Sequence, residues 1–188
     1  MKHLFVLISL SSVLISQNQD LSQVKPKTMT LNIRGGADIG GDITFRYLLT
    51  DLDDDPEMGY TIGADLVIIK SKYFDLGAGY EMQLKRGFDE IDGKMGFNSF
   101  HFLIETETLF ARFSPKNNFH GDNIFTSGAK LEGDWTLCTG IRFRINDSIM
   151  ELSSSTYWGN IDFSDGDEMS VEYRTYNVSF GYAFDFPL

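Results

Sequence analysis

Ser179-Phe180-Gly181-Tyr182-Ala183-Phe184-Asp185-Phe186 is the stretch that decides the fold. Extended back to Tyr176, it alternates with period two. Tyr176, Val178, Phe180, Tyr182, Phe184 and Phe186 share one face. Asn177, Ser179, Gly181 and Asp185 share the other, with one small apolar exception, Ala183. Successive side chains of a strand point to opposite faces of the sheet. An aromatic-rich face backed by a small, polar one fits a strand with lipid on one side and a polar lumen on the other.

The same period recurs upstream. From Leu31 to Leu49 the odd positions are apolar or small, while the even ones include Arg34, Asp38, Asp42 and Arg46. A tilted membrane strand needs about 9–11 residues to cross. The parity predicts one long strand over 31–49, with Ile39, Ile43 and Phe45 toward lipid and Asp38 and Asp42 toward the lumen. Further strands are predicted over 59–69, 73–86, 96–113, 123–131, 135–145, 148–162 and 171–186. In the fourth, Phe100, Phe102 and Ile104 share one face but Leu109, Ala111 and Phe113 the other, so a bulge is expected between Thr106 and Leu109. Lys70-Ser71-Lys72 and Asn146-Asp147 read as tight turns. The connections 50–58, 87–95 and 163–170 are longer and acidic. Short turns on one side and longer loops on the other suit a membrane barrel, although Ser114–Asp122 and Leu131–Asp134 break that alternation. The predicted class is all-β, an eight-stranded antiparallel up-and-down transmembrane β-barrel over 29–188.

The other end of the chain and the composition agree. Met1-Lys2-His3 followed by the apolar run Leu4–Ile15 reads as a signal peptide over 1–16. Residues 17–28 read as a disordered lead-in. No later segment has the uninterrupted apolar length of a spanning helix. Phe (16), Tyr (8) and Gly (18) are abundant, as strands apolar only at alternate positions require. The single Cys138 has no internal disulfide partner and reads as a small buried residue. A formal net charge of −11 argues against nucleic acid as a partner.

Three stretches carry a family likeness. They are Leu76-Gly77-Ala78-Gly79-Tyr80, Thr139-Gly140-Ile141-Arg142-Phe143-Arg144-Ile145-Asn146-Asp147, and the ending Val178-Ser179-Phe180-Gly181-Tyr182-Ala183-Phe184. The chain resembles the bacterial outer-membrane β-barrel domain family, the small eight-stranded outer membrane proteins, over nearly its whole mature length. The resemblance makes Ser179, Gly181, Phe184 and Phe186 an assembly signal. It implies a monomer in the outer membrane of a Gram-negative cell, with lipid, lipopolysaccharide and the barrel-assembly machinery as partners. The chain departs from the pattern by ending Phe186-Pro187-Leu188, beyond the aromatic.

The candidate chemistry is mostly charge. Parity directs Arg34, Arg46, Lys85, Arg142 and Arg144 inward, against Asp38, Asp42, Asp65, Asp75, Glu81, Glu105, Glu107 and Glu151. An eight-stranded barrel is just wide enough for its own side chains, so these are expected to fill the bore as a paired network; the alternative is a narrow solute channel. Asp51, Asp53, Asp54, Asp55 and Glu57 crowd one outer loop, and Asp89, Glu90 and Asp92 and then Asp165, Asp167 and Glu168 two others. Oxygen ligands suit calcium or magnesium, against a plain solvated rim. His101 shares inward parity with Ser99, Glu105 and Glu107, the composition of a hydrolase triad; His120 is expected in a turn. Triads are recognised by geometry, not composition. Trp135, Trp158, Tyr47, Tyr60 and Tyr157 are expected to form an interfacial girdle. No phosphate loop, zinc spacing or dinucleotide motif appears, and no cofactor is expected. The leading reading is an integral outer-membrane protein with a structural, adhesive or surface-interaction role. The alternatives are the solute channel, a lipid-modifying outer-membrane enzyme and a soluble, lipocalin-like secreted carrier.

Overall fold

The alternation builds one continuous antiparallel sheet. A computed structural model of the chain describes residues 28–48, 50–89, 93–122, 130–163 and 166–187. The expected signal peptide, the lead-in up to residue 27, most of the expected fifth strand (123–129), Leu49, Glu90, Asp92 and Asp165 lie outside the described residues. The strands are β1 (Thr28–Tyr47), β2 (Thr50–Asp54), β3 (Gly59–Lys70), β4 (Asp75–Arg86), β5 (Lys94–Glu105), β6 (Leu109–Ser114), β7 (Asn117–Asp122), β8 (Lys130–Ile145), β9 (Ser148–Asp162) and β10 (Glu168–Pro187). Pairing runs β10-β9-β8-β6-β5-β4-β3-β1, and β1 pairs β10 to close the ring. β2 and β3 follow one another along the same position beside β1. β6 and β7 do the same beside β5. The wall therefore has the eight staves that the sequence predicts. The end holding Thr28 and Pro187 is called the base below, and the opposite end the crown.

The fourth and fifth staves differ from expectation. Residues 96–113 are not one bulged strand but parts of β5 and β6, joined by a tight turn at 106–108. Glu105 pairs with Phe110 and Phe102 with Phe113, and the Thr106 N–H donates to the Leu109 carbonyl at 2.7 Å. A reversal of direction and a bulge change parity alike, and Thr106-Glu107-Thr108 lacks the Gly, Asn or Pro that usually marks a turn. The fifth stave is thus β6 with β7, over 109–122, rather than 123–131. Ser114–Asp122 is wall rather than connection, and Leu131–Asp134 belongs to β8. Residues 50–58 also differ: Thr50–Asp54 is a strand, paired Tyr47↔Thr50 through Ile43↔Asp54 with β1.

β1 contains the largest surprise. Its register against β10 slips between Asp38 and Gly40, so that Ile39 is an extra, unpaired residue, 64% exposed. One extra residue exchanges the two faces of everything beyond it. Ile43 and Phe45 are therefore inside, 0% and 1% exposed, and Asp42 and Arg46 outside, the reverse of the expectation. β10 reaches the same end without a bulge. Its outward residues are apolar from Tyr176 to Phe186, but nearer the crown they are Glu172 and Arg174, with Val171 and Tyr173 inward. β1 and β10 thus change the polarity of both faces at one height. Below it the outer surface carries exposed Ile33, Tyr60, Ile62, Phe100, Phe102 and Phe180. Along β10 this belt measures roughly 33 Å of strand, or about 25 Å of height at the usual tilt. Above it the interior is a packed apolar core of Ile43, Phe45, Met95, Phe97, Phe119, Tyr157, Ile161, Val171 and Tyr173. Phe97 meets Phe119 and Tyr173 edge-on, at centroid distances of 6.4 and 6.0 Å.

The bulge makes a direct prediction. In Ile39→Cys and Ile43→Cys variants, a lipid-soluble thiol probe should mark position 39 and leave position 43 unmarked; the native Cys138 is buried and adds no signal. Equal labelling would refute the slipped register. Phe45→Ala should cost about 3–5 kcal/mol in denaturant unfolding, as for other buried Phe residues.

Candidate functional site

The interior below the apolar core is a network of ions. Asp65 on β3 is its centre. One of its oxygens, Oδ2, accepts from Arg112 Nη2 and Arg142 Nη2 at 3.0 Å each and pairs as an ion with Arg34 Nη1, 2.9 Å away. His101 Nε2 lies 2.7 Å from the other. Glu151 on β9 faces the same cations, with Arg112 Nη2 at 2.8 Å and Arg142 Nε at 2.7 Å. Arg34 Nη2 donates to Glu81 at 2.6 Å. Glu105 takes Arg142 on one side and Arg144 Nη2, 2.8 Å away, on the other. Four arginines thus meet four carboxylates, contributed by seven of the eight staves. Buried charge persists only when paired in this way.

Two glycines make the room. A Cβ at Gly63 would lie 2.5 Å from the Arg34 guanidinium carbon, and one at Gly79 would lie 2.5 Å from Asp65 Oδ1 and 2.6 Å from His101 Nε2. The small residues of the inward face are therefore space for long ionic side chains, not an opening. Two tyrosines join the ionic layer to the apolar core. Their rings belong to the core, while the Tyr157 hydroxyl reaches Glu81 at 3.2 Å and the Tyr173 hydroxyl reaches Gln83 at 3.3 Å. Gln83 Nε2 donates to Asp38 at 2.5 Å, and Asn177 Nδ2 donates to its other oxygen at 3.0 Å. Arg86 donates to the Tyr173 hydroxyl.

Of the residues that parity sends inward, Arg34, Asp38, Glu81, Glu105, Arg142 and Glu151 meet in this interior; Arg144 stands at its base, about one-third exposed. Three do not. Asp42 faces outward and meets Arg174 at 3.6 Å. Arg46 is exposed beside Glu172 and Asp51, at 3.4 and 3.7 Å. The Ile39 bulge turned both out. Glu107 is exposed in the turn at 106–108. Lys85 is exposed too, because a register shift between Gln83 and Arg86 sends Arg86 inward in its place. Gln83, inward by the parity of its strand, is buried here as well; Arg112 and Tyr173 complete the interior and were missed. Arg112 was legible by the alternation that turns Ala111 and Phe113 outward, whether 106–108 is read as a bulge or as a turn.

The remaining candidates separate. His101 is engaged with Asp65 rather than with a nucleophile, and His120 lies in β7, not in a turn. Asp51 and Asp53 face outward from β2, toward Arg46 and Thr44, whereas Asp54 is buried on the other face. Strand alternation splits the acidic run, and among the described residues no three His, Cys, Asp or Glu side chains gather as a metal would need. Trp135 and Trp158 stack on the outer surface at 3.7 Å, and Tyr60 is exposed near their height. Tyr157 is not with them: it is inside, in the apolar core. Beside the two indoles, among the described residues, β7 is not laddered to β8. The buried Asn117 side chain spans the gap, donating to Thr136 Oγ1 at 2.9 Å and to the Trp135 and Trp158 carbonyls at 3.3 Å. Phe184 and Phe186 lie on the outer face at the base, and Ser179 lies inside.

Removing the central anion would leave three buried guanidinium groups short of a partner. Asp65→Asn should therefore destabilise the folded barrel by about 3–5 kcal/mol, read as a lower urea midpoint in detergent micelles. An unchanged midpoint would mean that the network is not held by Asp65.

No family model and no curated protein matches the sequence. Solved structures do match. The outer membrane protein AlkL, determined in DMPC lipid bilayers, overlaps 92% of this chain and 96% of its own at 10% identity, with a TM-score of 0.55. Ail, the attachment invasion locus protein of Yersinia pestis, overlaps 82% of this chain and 98% of its own at 15% identity, with a TM-score of 0.45. OprG from Pseudomonas aeruginosa overlaps 85% and 97% at 11% identity, with a TM-score of 0.44. The chain has the fold of the small eight-stranded outer-membrane β-barrels.

Proposed function

We propose that this chain is an integral protein of the bacterial outer membrane, with its base in the periplasm and its crown outside, and that it acts through its surface and not as a conduit. The observation that carries the reading is the filling of the bore. Ions and the small cluster Val67, Leu103, Phe110 and Cys138 occupy its lower part and mostly aromatic side chains its upper part, so nothing the size of a hydrated solute has a path. The outer belt has the height of a bilayer core. The crown beyond it suits contact with other molecules. It is acidic on its outer face, and the β1–β2 hairpin ends on Leu48, 87% exposed with φ +52°. An apolar side chain held in that conformation is uncommon. Export by the signal peptide and delivery by the assembly machinery belong to the same reading.

In planar bilayers the purified protein should give no stable large-conductance openings; reproducible porin-size steps would sink the closed-bore reading. In cells the protein should fractionate with outer membranes and show heat-modifiable gel mobility. A Phe184→Ser/Phe186→Ser variant should instead accumulate in the periplasm and be degraded. Removal of Pro187 and Leu188 should leave insertion intact. Normal insertion of the double-Ser variant would show that these aromatics are not an address.

A further inference from the structure

The base of the wall has a notch. The ladder between β6 and β8 begins at Leu109↔Ile141, and the last bond across that seam runs from the Arg142 N–H to the Thr108 carbonyl at 2.7 Å. β8 continues to Ile145, where β9 covers one edge through Arg144↔Ile149 and Ile145↔Ser148. No strand among the described residues pairs with its other edge there. By alternation the Arg144 N–H points the same way as that of Arg142, into the space left over. That space is an open cavity of about 720 Å3, bounded on its far side by Tyr73 and Phe74 of the β3–β4 turn.

Its lining combines three chemistries. Phe143, Ile145 and Met150 are apolar and exposed on the outer face, continuous with the belt. Lys72, Arg142 and Arg144 bring three cations, of which Arg142 is buried against Glu105 and Glu151. Asp75, Glu105 and Glu107 bring carboxylates, of which Glu105 already holds Arg144 at 2.8 Å. A small ion would leave the apolar wall unused. A simple hydrocarbon would leave charges facing it without partners. An amphiphile whose headgroup carries both signs satisfies the whole lining. On the membrane reading above, on which this inference rests, the notch opens at the headgroup level of the periplasmic leaflet.

We propose that the notch binds a phospholipid with an ammonium–phosphate headgroup. The phosphate sits against Lys72, Arg144 and the Arg144 N–H, through charge-assisted hydrogen bonds. The primary ammonium, with three donors, sits against Glu107 and Asp75. One acyl chain follows Phe143, Ile145 and Met150 along the outside of the wall.

The test uses vesicles of equal parts phosphatidylethanolamine, phosphatidylcholine and phosphatidylglycerol. The barrel is inserted, extracted in mild detergent, and its retained lipid measured by mass spectrometry. Phosphatidylethanolamine should be enriched at least about fivefold over the other two, the factor one good hydrogen bond supplies. The choline lipid lacks the N–H donors and the glycerol lipid lacks the cation. A Lys72→Gln/Glu107→Gln variant, altered only at exposed positions, should insert normally and lose the enrichment. Equal retention of the three lipids, or enrichment unchanged in the variant, overturns the site while leaving the membrane reading intact. Failure of the wild-type protein to insert overturns both.

Discussion

Inside hydrocarbon a backbone N–H has no water to bond to, so a β-sheet can cross only if it has no edge. The ladder between β1 and β10 meets that condition here. It runs from Thr28↔Pro187 to Arg46↔Ser170, nearly the full length of both strands. Closure at eight staves then fixes the bore, and the bore fixes what can fill it. Long side chains must lie across the axis and end on one another. The crossing arginines, and the glycines that give them room, follow from the strand count rather than from any substrate.

Two solvents act on the one wall. Where the outer face is apolar, the inner face carries the ions, packed around a small cluster of Val67, Leu103, Phe110 and Cys138; where the outer face carries ions, the inner face is apolar. The register shifts at Asp38/Gly40, Gln83/Arg86 and Gly133/Thr136 lie near the height of the exchange. Bulges are an efficient device for re-aiming side chains there, because one extra residue turns the strand over without breaking the sheet. Tyr157 and Tyr173 serve the same junction from within, each with an apolar ring and a polar tip.

Fold class and strand number were legible because they rest on period two, which nearly every stave repeats. β9, read over 148–162, is Ser148–Asp162, and β10 is extended by only a few residues. The interior was partly legible for the same reason. Parity found Arg34, Asp65, Glu81 and Glu151 on four different staves with no contact information. It failed where a pattern has two physical causes. In β1 the apolar odd positions run unbroken from Ile33 to Phe45, yet a bulge hides among them, because the polarity demanded of each face inverts at the same place. Between β5 and β6 a visible break in parity came from a turn that lacks turn residues. The meeting of particular ions at Asp65, and the notch beside Arg144, depend on strand stagger around the ring, which no single strand records.

The apolar core of the crown, described above as packing, also assigns the protein a mixed thermodynamic character. Side chains in the belt leave hydrocarbon only for other apolar surroundings, and little water is ordered or released there. Ile43, Phe45, Phe97 and their neighbours instead stand above the belt, where their unfolded alternative is water. Exposing them carries the positive heat capacity of a soluble domain. The two ends of one sheet should then respond differently to cooling and heating. The crown's contribution is strongly curved in temperature and the belt's nearly flat, so that the crown, not the belt, sets where its stability is greatest.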